Sequence, residues 1–393
     1  MNSRMLRMLT LAILLVTLSE VLILHWAGLA LRGSGFGLTS GLLAALALGA
    51  INVLLFPAAR RRTHAKGLGL IFSRVWILGS VSALMTGIML AIVFTGFFAI
   101  GQGDGGIFGS QAAHDSALVW LGGAVVLLGL GAGLWGSTVG NHRVRVDSIL
   151  LSLPSFPAHL GRLDVVHITD LHIGPLLQPD RLKRFVDRIN GLAPDLIVIT
   201  GDIFDFDPRY IEDGCRELAK LEARHGVFAV LGNHDHYTGT ESVVAGLARF
   251  TSIRLLRDEW ERIDIGGAGF VIAGLEDPQE GWMDKHAESP VLERFAAEIP
   301  KDLPRLLLAH RPSFFHHAQE LGFPLVLAGH THGGQVALPF ATNANPSRMI
   351  ADRTRGLFHR GESTMYVNRG LGMAGLPLRL NCPREIALIQ LSA

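Results

Sequence analysis

The stretch Asp164-Val-Val-His-Ile-Thr-Asp-Leu-His172 decides how the C-terminal part of this chain is read. An apolar run of strand length stops at Thr169, and two side chains able to hold a metal or move a proton follow at once, Asp170 and His172. The pattern recurs four times downstream. Residues 195–200 end in Thr200-Gly201-Asp202, and residues 227–231 run into Gly232-Asn233-His234-Asp235. Residues 305–309 run into His310, and residues 324–328 into Gly329-His330-Thr331-His332. Helical patterns lie between several of these runs, over 179–190, 208–224, 239–249, 290–298 and 312–321. Val-, Ile- and Leu-rich strands bounded by helices predict buried sheets in an α/β arrangement. In such sheets ligands bind beyond the carboxyl ends of the strands, where these polar residues stand. The tail adds runs at 364–367 and 385–391, expected to pair antiparallel.

Upstream the chain has a different character. The 393 residues are 49% hydrophobic and only 18% charged, with mean hydropathy +0.35, which excludes disorder and argues against a wholly soluble protein. Four apolar runs, at 6–31, 39–58, 71–100 and 117–138, approach or exceed the ~20 residues that a helix needs to cross the hydrocarbon core. Residues 1–140 carry eight cations (Arg4, Arg7, Arg32, Arg60, Arg61, Arg62, Lys66, Arg74) against Glu20, Asp104 and Asp115. The overall +1 therefore hides a basic first part and a slightly acidic second one. Residues 1–140 are expected to form a four-helix transmembrane domain, 141–161 a linker, and 162–393 the α/β domain. The clusters at Arg4/Arg7, Arg60–Arg62 and Arg143/Arg145 all fall on one side under an N-in, C-in topology, which predicts a cytoplasmic α/β domain on a multi-pass inner-membrane protein. A net charge near zero gives no reason to expect nucleic acid as a partner. Gly131-x-Gly133-x-x-Gly136 matches a dinucleotide-binding spacing, but inside an apolar span, with Gly129 and Gly133 a GxxxG pair, it reads as helix packing. Glu20 and His25 lie toward one end of the first run and fit interface placement. Cys215 and Cys382 read as small core residues.

The strand-end residues share a chemistry. Asp170, His172, Asp202, Asn233, His310, His330 and His332 are oxygen and imidazole donors without thiolate, a set that suits Mn, Fe or Zn. They exceed what one tetrahedral ion takes, whereas two ions ~3.5–4 Å apart, sharing a carboxylate, use them comfortably. On extended backbone the D-x-H and H-x-H spacings put both side chains on the same side. Glycines before Asp202, Asn233 and His330 are expected to allow tight turns.

The ordered series Asp170-x-His172, Gly201-Asp202, Gly232-Asn233-His234-Asp235, His310 and Gly329-His330-Thr331-His332 resembles the calcineurin-like metallophosphoesterase superfamily, from about Leu163 onward. Gly329–Gln335, the segment Tyr366–Gly372 and Pro383–Ile386 are similar to its bacterial membrane-associated branch, which includes UDP-diacylglucosamine pyrophosphatase-like enzymes. The resemblance implies a two-sheet αββα sandwich and two divalent ions. It assigns Asp170, His172 and His332 to one metal, Asn233, His310 and His330 to the other, and Asp202 to both. It also makes His234 a non-ligand imidazole near the leaving group, held by Asp235. The family often has Asn and Asp around the His310 loop, where Arg311-Pro312-Ser313 stand here, which bears on substrate choice.

The function expected from these residues is that of a membrane-anchored phosphohydrolase cleaving a phosphoester or pyrophosphate bond. Anchoring suits a lipid-linked substrate; the alternatives are soluble nucleotides or phosphodiesters, and a metal-bearing membrane sensor without turnover. Arg311 and Arg369, in loops beside or after the site strands, are candidate substrate contacts, with solvated surface arginine as the plain alternative.

Overall fold

The computed structural model describes residues 3–61, 68–101, 110–153, 156–281, 284–338, 340–375 and 377–393. Two compact units emerge, one carried by residues 1–139 and the other by 140–375 with 379–393. The first consists of helices α1(Ser3–Arg32), α2(Leu38–Arg61), α3(Leu68–Gly101) and α4(Gln111–Trp135). Four stretches along them are long and apolar enough to cross a membrane, the last continuing beyond α4 through a π-helical turn: Thr10–Arg32, Leu38–Leu55, Val75–Ala99 and Ala112–Gly140. The glycines of α4 do what the GxxxG reading expects. A Cβ on Gly129 would lie 2.2 Å from Thr86 Oγ1 and one on Gly133 2.1 Å from Ser82 Oγ, whereas Gly131 faces open space. The absence of a side chain lets α3 and α4 approach closely. Glu20 is not left alone: the Asn52 amide donates to its carboxylate at 2.8 Å and to Thr17 Oγ1 at 3.0 Å. His25 Nδ1 accepts the Phe36 backbone N–H and closes the turn after α1.

The second unit contains strands β1(Val144–Ser152), β2(Leu163–Ile168), β3(Leu196–Thr200), β4(Val227–Val230), β5(Arg254–Leu255), β6(Glu259–Ile265), β7(Ala268–Leu275), β8(Arg305–Ala309), β9(Leu325–Ala328), β10(Gly356–Arg360), β11(Ser363–Val367) and β12(Arg384–Ser392). Its helices are α5(Pro179–Asn190), α6(Ile211–Leu218), α7(Asn233–Phe250), α8(Pro290–Glu298) and α9(Phe315–Glu320). One sheet has the order β1-β12-β2-β3-β4-β5 and the other β10-β11-β9-β8-β7-β6. Period-two side-chain alternation builds the layers. On β3, Leu196 and Val198 join Leu306 and Leu308 of β8 in a core between the sheets. Ile197 and Ile199 turn outward onto Phe185, Val186 and Leu247 of α5 and α7, and Leu307 and Ala309 onto Phe295 and Phe315 of α8 and α9. Helices therefore cover both outer faces of the paired sheets, as an αββα sandwich requires.

Two expectations change. Residues 144–152, assigned to the linker, form β1 and pair in parallel with β12 over the whole strand, from Val144↔Arg384 to Ser152↔Ser392. Arg145 and Asp147 interrupt the apolar pattern there, yet at a sheet edge their side chains keep access to water, while Leu151 enters the inter-sheet core. The last strand is antiparallel to β2 but parallel to β1, and β11 is parallel to β9. The helix expected over 239–249 is present; a further helical segment from Asn233 precedes it, and Gly239 at φ +121° is the break between the two. Strands β2, β3 and β4 run parallel, as do β8 and β9, so the strand ends that carry the polar residues share an edge within each sheet.

Candidate metal centre

The candidate ligands lie just past the strands, and their backbone is not extended. Asp170, His172, Asp202, His330 and His332 have φ of +50°, +46°, +50°, +69° and +50°. Non-glycine residues enter this left-handed region at a cost of about 1–3 kcal/mol each and stay there only where surrounding structure holds them. The D-x-H and H-x-H pairs thus converge through paired left-handed residues, not through strand alternation. Backbone bonds fix them: Asp170 N–H donates to the Gly201 carbonyl at 3.0 Å and His172 N–H to that of Asp202 at 2.9 Å. The Asp170 carboxylate accepts the His330 N–H at 3.0 and 3.1 Å, tying β2 of one sheet to β9 of the other.

The glycines contribute mainly by lacking a side chain. A Cβ on Gly329 would fall 2.1 Å from Thr169 Oγ1 and 2.4 Å from Asp170 Oδ2, and one on Gly232 2.3 Å from Asp202 Oδ1. Of the three glycines expected to form tight turns, Gly201 is the one with positive φ, +87°.

Two sets of side chains share Asp202. Asp170, His172, Asp202 and His332 form one, and Asp202, His310 and His330 the other. His172 Nε2 lies 3.0 Å from His332 Nε2 and 3.5 Å from Asp202 Oδ2. His310 Nε2 stands 3.3 Å from the same carboxylate oxygen and 3.2 Å from His330 Nδ1. His310 Nδ1 bonds the Thr200 carbonyl at 2.8 Å, an arrangement that turns Nε2 inward and fixes its tautomer. Asn233, between two residues that touch Asp202, has a buried Oδ1 without a hydrogen-bond partner, as does His330 at Nε2. Buried polar atoms of this kind are seldom left unpaired. Orphaned donors beside clustered imidazoles and carboxylates fit divalent cations in both sets.

Charge favours the same reading. Burial alone would raise the Asp202 carboxyl, but the His310 and His234 imidazoles outweigh it and hold the group well below the usual carboxylate range. Burial pushes the Asp170 carboxyl up, with His310 pulling back only in part. Burial lowers His310, yet Asp202 and Asp170 overcome this and raise it to about 10.

Three sequence expectations are revised. Asp235 does not hold His234: its buried carboxylate accepts the backbone N–H groups of Gly232, Ile203 and Phe204 at 2.9, 3.2 and 2.9 Å. Burial and the neighbouring Asp202 push it up to about 6. The partner of His234 is Asp205, whose Oδ1 lies 3.0 Å from His234 Nδ1 and 3.5 Å from His172 Nδ1. Asp205 follows Asp202 by three residues, but nothing in that spacing signals its partner. Arg311 is buried and paired at 2.5 Å through both Nε and Nη2 with Asp277. Arg369 is bound to Glu385 at 2.7 Å and to Asp147. Both arginines brace the fold, because each guanidinium meets a carboxylate that would otherwise lack a counter-charge. Arg379, which the sequence reading passed over, is buried and donates to the carbonyls of Arg369, Gly370 and Gly372, the loop behind Asp170.

A cation taking His310 Nε2 must displace a proton, since this imidazole keeps its proton up to about pH 10 when no metal is present. Affinity for Mn2+ is therefore expected to rise about tenfold per pH unit below that value, one proton being released per His310 engaged. Calorimetry in buffers of differing ionisation enthalpy measures the release; pH-independent binding without proton release would contradict this geometry.

The calcineurin-like phosphoesterase profile matches residues 163–334. An uncharacterized metallophosphoesterase of Campylobacter jejuni is 32% identical over 63% of this chain and 63% of its own length. A second, from Bacillus subtilis, is 30% identical over 64% of this chain and 87% of its own. A Bos taurus transmembrane protein with metallophosphoesterase domain is 29% identical over 63% of this chain and 57% of its own. The chain thus spans about three fifths of the length of several relatives and nearly all of the Bacillus one. At 30% identity over 87% of the Bacillus protein, and with the profile match and the two-sheet fold, the chain belongs to the calcineurin-like metallophosphoesterases.

Proposed function

We propose that the chain is a membrane-anchored, dinuclear metal-dependent phosphohydrolase that cleaves a phosphoester or pyrophosphate bond of a lipid-linked substrate. The observation that carries the hydrolase reading is Asp202 Oδ2, within 3.5 Å of His172 Nε2 and 3.3 Å of His310 Nε2. One carboxylate oxygen facing two imidazole sets is what a bridged pair of cations needs. In this reading Asp170, His172 and His332 hold one ion, Asn233, His310 and His330 the other, and Asp202 both. Two divalent cations there would neutralise phosphoryl charge and bring a water to nucleophilic strength near neutral pH. His234 stands at the edge of the site, its ring 4.5 Å from that of His172, and keeps partial access to solvent. Asp205 accepts from His234 Nδ1, leaving Nε2 to stabilise developing charge and donate a proton to the leaving oxygen. Asp235 keeps the loop after β3 against the start of α7 and so positions Asp202.

His234→Ala is expected to lower kcat by about 10²–10⁴-fold while both ions stay bound. Asp202→Asn is expected to lose turnover and metal together, read by elemental analysis of the purified protein. An Asp202→Asn protein with two ions and full rate would sink the bridging role.

The lipid-linked substrate rests on architecture: helices of membrane length on the same chain as the site, and a Bos taurus relative whose name joins a transmembrane protein to this domain. Mn-loaded protein assayed on a panel of lipid-linked and soluble phosphoesters is expected to turn over the lipid-linked ones; activity confined to soluble compounds would remove this substrate class. The basic clusters favour an inner membrane with the phosphoesterase unit in the cytoplasm. An alkaline-phosphatase fusion after Ala393 is then expected to be inactive, and an active fusion reverses the orientation.

A further inference from the structure

Two aromatic rings flank His234 and remain in solvent. Phe206 is 40% and Tyr237 46% exposed, although large apolar side chains in this unit are otherwise mostly buried. Their rings are parallel to within 8° with centroids 5.7 Å apart, an offset stack. Both touch the same imidazole: the centroid of His234 is 4.7 Å from Phe206 and 5.4 Å from Tyr237.

The backbone under Phe206 is unusual. Asp207 N–H donates to the Asp205 carbonyl at 2.7 Å, closing a three-residue turn with Phe206 at its apex and φ at +54°. A bulky aromatic rarely takes this left-handed conformation, and such turns are strained. The turn follows directly on Asp205, the residue that orients His234. Strain held beside a reacting group points to a role for the side chain that it presents. Burial cannot be that role, since the ring is half in water.

We propose that Phe206 and Tyr237 form a recognition face for a planar aromatic ring carried by the leaving group, a nucleobase or an aryl ester. This rests on the phosphohydrolase reading only in making His234 the residue on the leaving-group side. Exposed aromatic faces bind planar rings by stacking and are indifferent to the sequence of hydrogen-bonding groups around them. A leaving group without such a ring gains nothing there beyond apolar contact. The face would therefore select among phosphoesters that the metal centre treats alike.

Binding and turnover test it together on the Mn-loaded full chain. Calorimetry with benzylphosphonate and cyclohexylmethylphosphonate, which cannot be hydrolysed, is expected to favour the benzyl compound about tenfold. The same preference is expected in kcat/KM for benzyl over cyclohexylmethyl phosphate or for a nucleoside monophosphate over the matching ribose phosphate, and the larger of these two ratios separates aryl from nucleobase. Phe206→Leu combined with Tyr237→Leu should abolish the preference, and Phe206→Trp should keep it. Equal affinities in the unaltered protein would overturn the proposal. So would a double variant that loses kcat on every substrate by one factor and keeps its preference, because the rings would then only seat His234. Preferential phosphonate binding without any turnover would overturn the phosphohydrolase reading and leave the aromatic face standing.

Discussion

The structure of the centre depends on keeping one buried carboxylate ionised between two sheets. Asp202 is 2% exposed, and removal from water by itself favours its neutral form. Its Oδ1 accepts the His234 backbone N–H at 2.8 Å, and its Oδ2 faces the imidazoles of His172 and His310. These partners come from the loop after β2, the loop after β8 and the first turn of α7. Displacing any one of these elements removes part of that charge's compensation, which is costly in a buried site. The inter-sheet core and the centre are therefore one problem: the layers must close before the ligands meet.

That dependence explains the backbone. Five candidate ligands sit in a conformation that non-glycine residues avoid, and each is held by bonds made outside its own strand. The loop Arg369–Gly372 backs Asp170, with Leu371 N–H on the Thr169 carbonyl at 3.1 Å, and Arg379 gathers three carbonyls of that loop from behind. This buried guanidinium meets carbonyl dipoles through Nη1 and Nη2, where a carboxylate would be the usual partner.

How much of this was legible follows the range of each interaction. The site strands could be read because they are local: apolar runs that stop at polar residues, as at Thr169, Thr200 and Ala328. The ligand types could be read because few side chains bind hard or borderline ions. The edge strand β1 was obscured, since the alternation of Val144, Val146, Ile149 and Leu151 is broken by charge and its partner β12 lies at the far end of the chain. The two arginines were misread for the same reason. Arg311 stands next to a ligand in sequence, but Asp277, which neutralises it, is 34 residues away. Asp235 adjoins His234 in sequence, yet on a helix consecutive side chains point in different directions, and Asp235 reaches back to Gly232 as an N3 residue does.

The internal pairing of Arg311 and Arg369 shapes what the centre can do. A phosphoryl group arriving at Asp170 and Asp202 meets two carboxylates, and an anion there is repelled unless positive charge exceeds negative. In many phosphate sites guanidinium groups supply that excess by bidentate contact. Here Arg311 and Arg369 are already neutralised by Asp277, Glu385 and Asp147. The imidazoles cannot replace them once they serve as neutral ligands, since a metal-bound imidazole carries no net charge. On the proposed reading the excess must come from the cations, so metal occupancy controls substrate binding as well as the chemical step. The protein's own contribution is geometric: strained loops, glycines without a Cβ and the hold of the Thr200 carbonyl on His310 Nδ1 keep the side chains in place before either ion or substrate arrives.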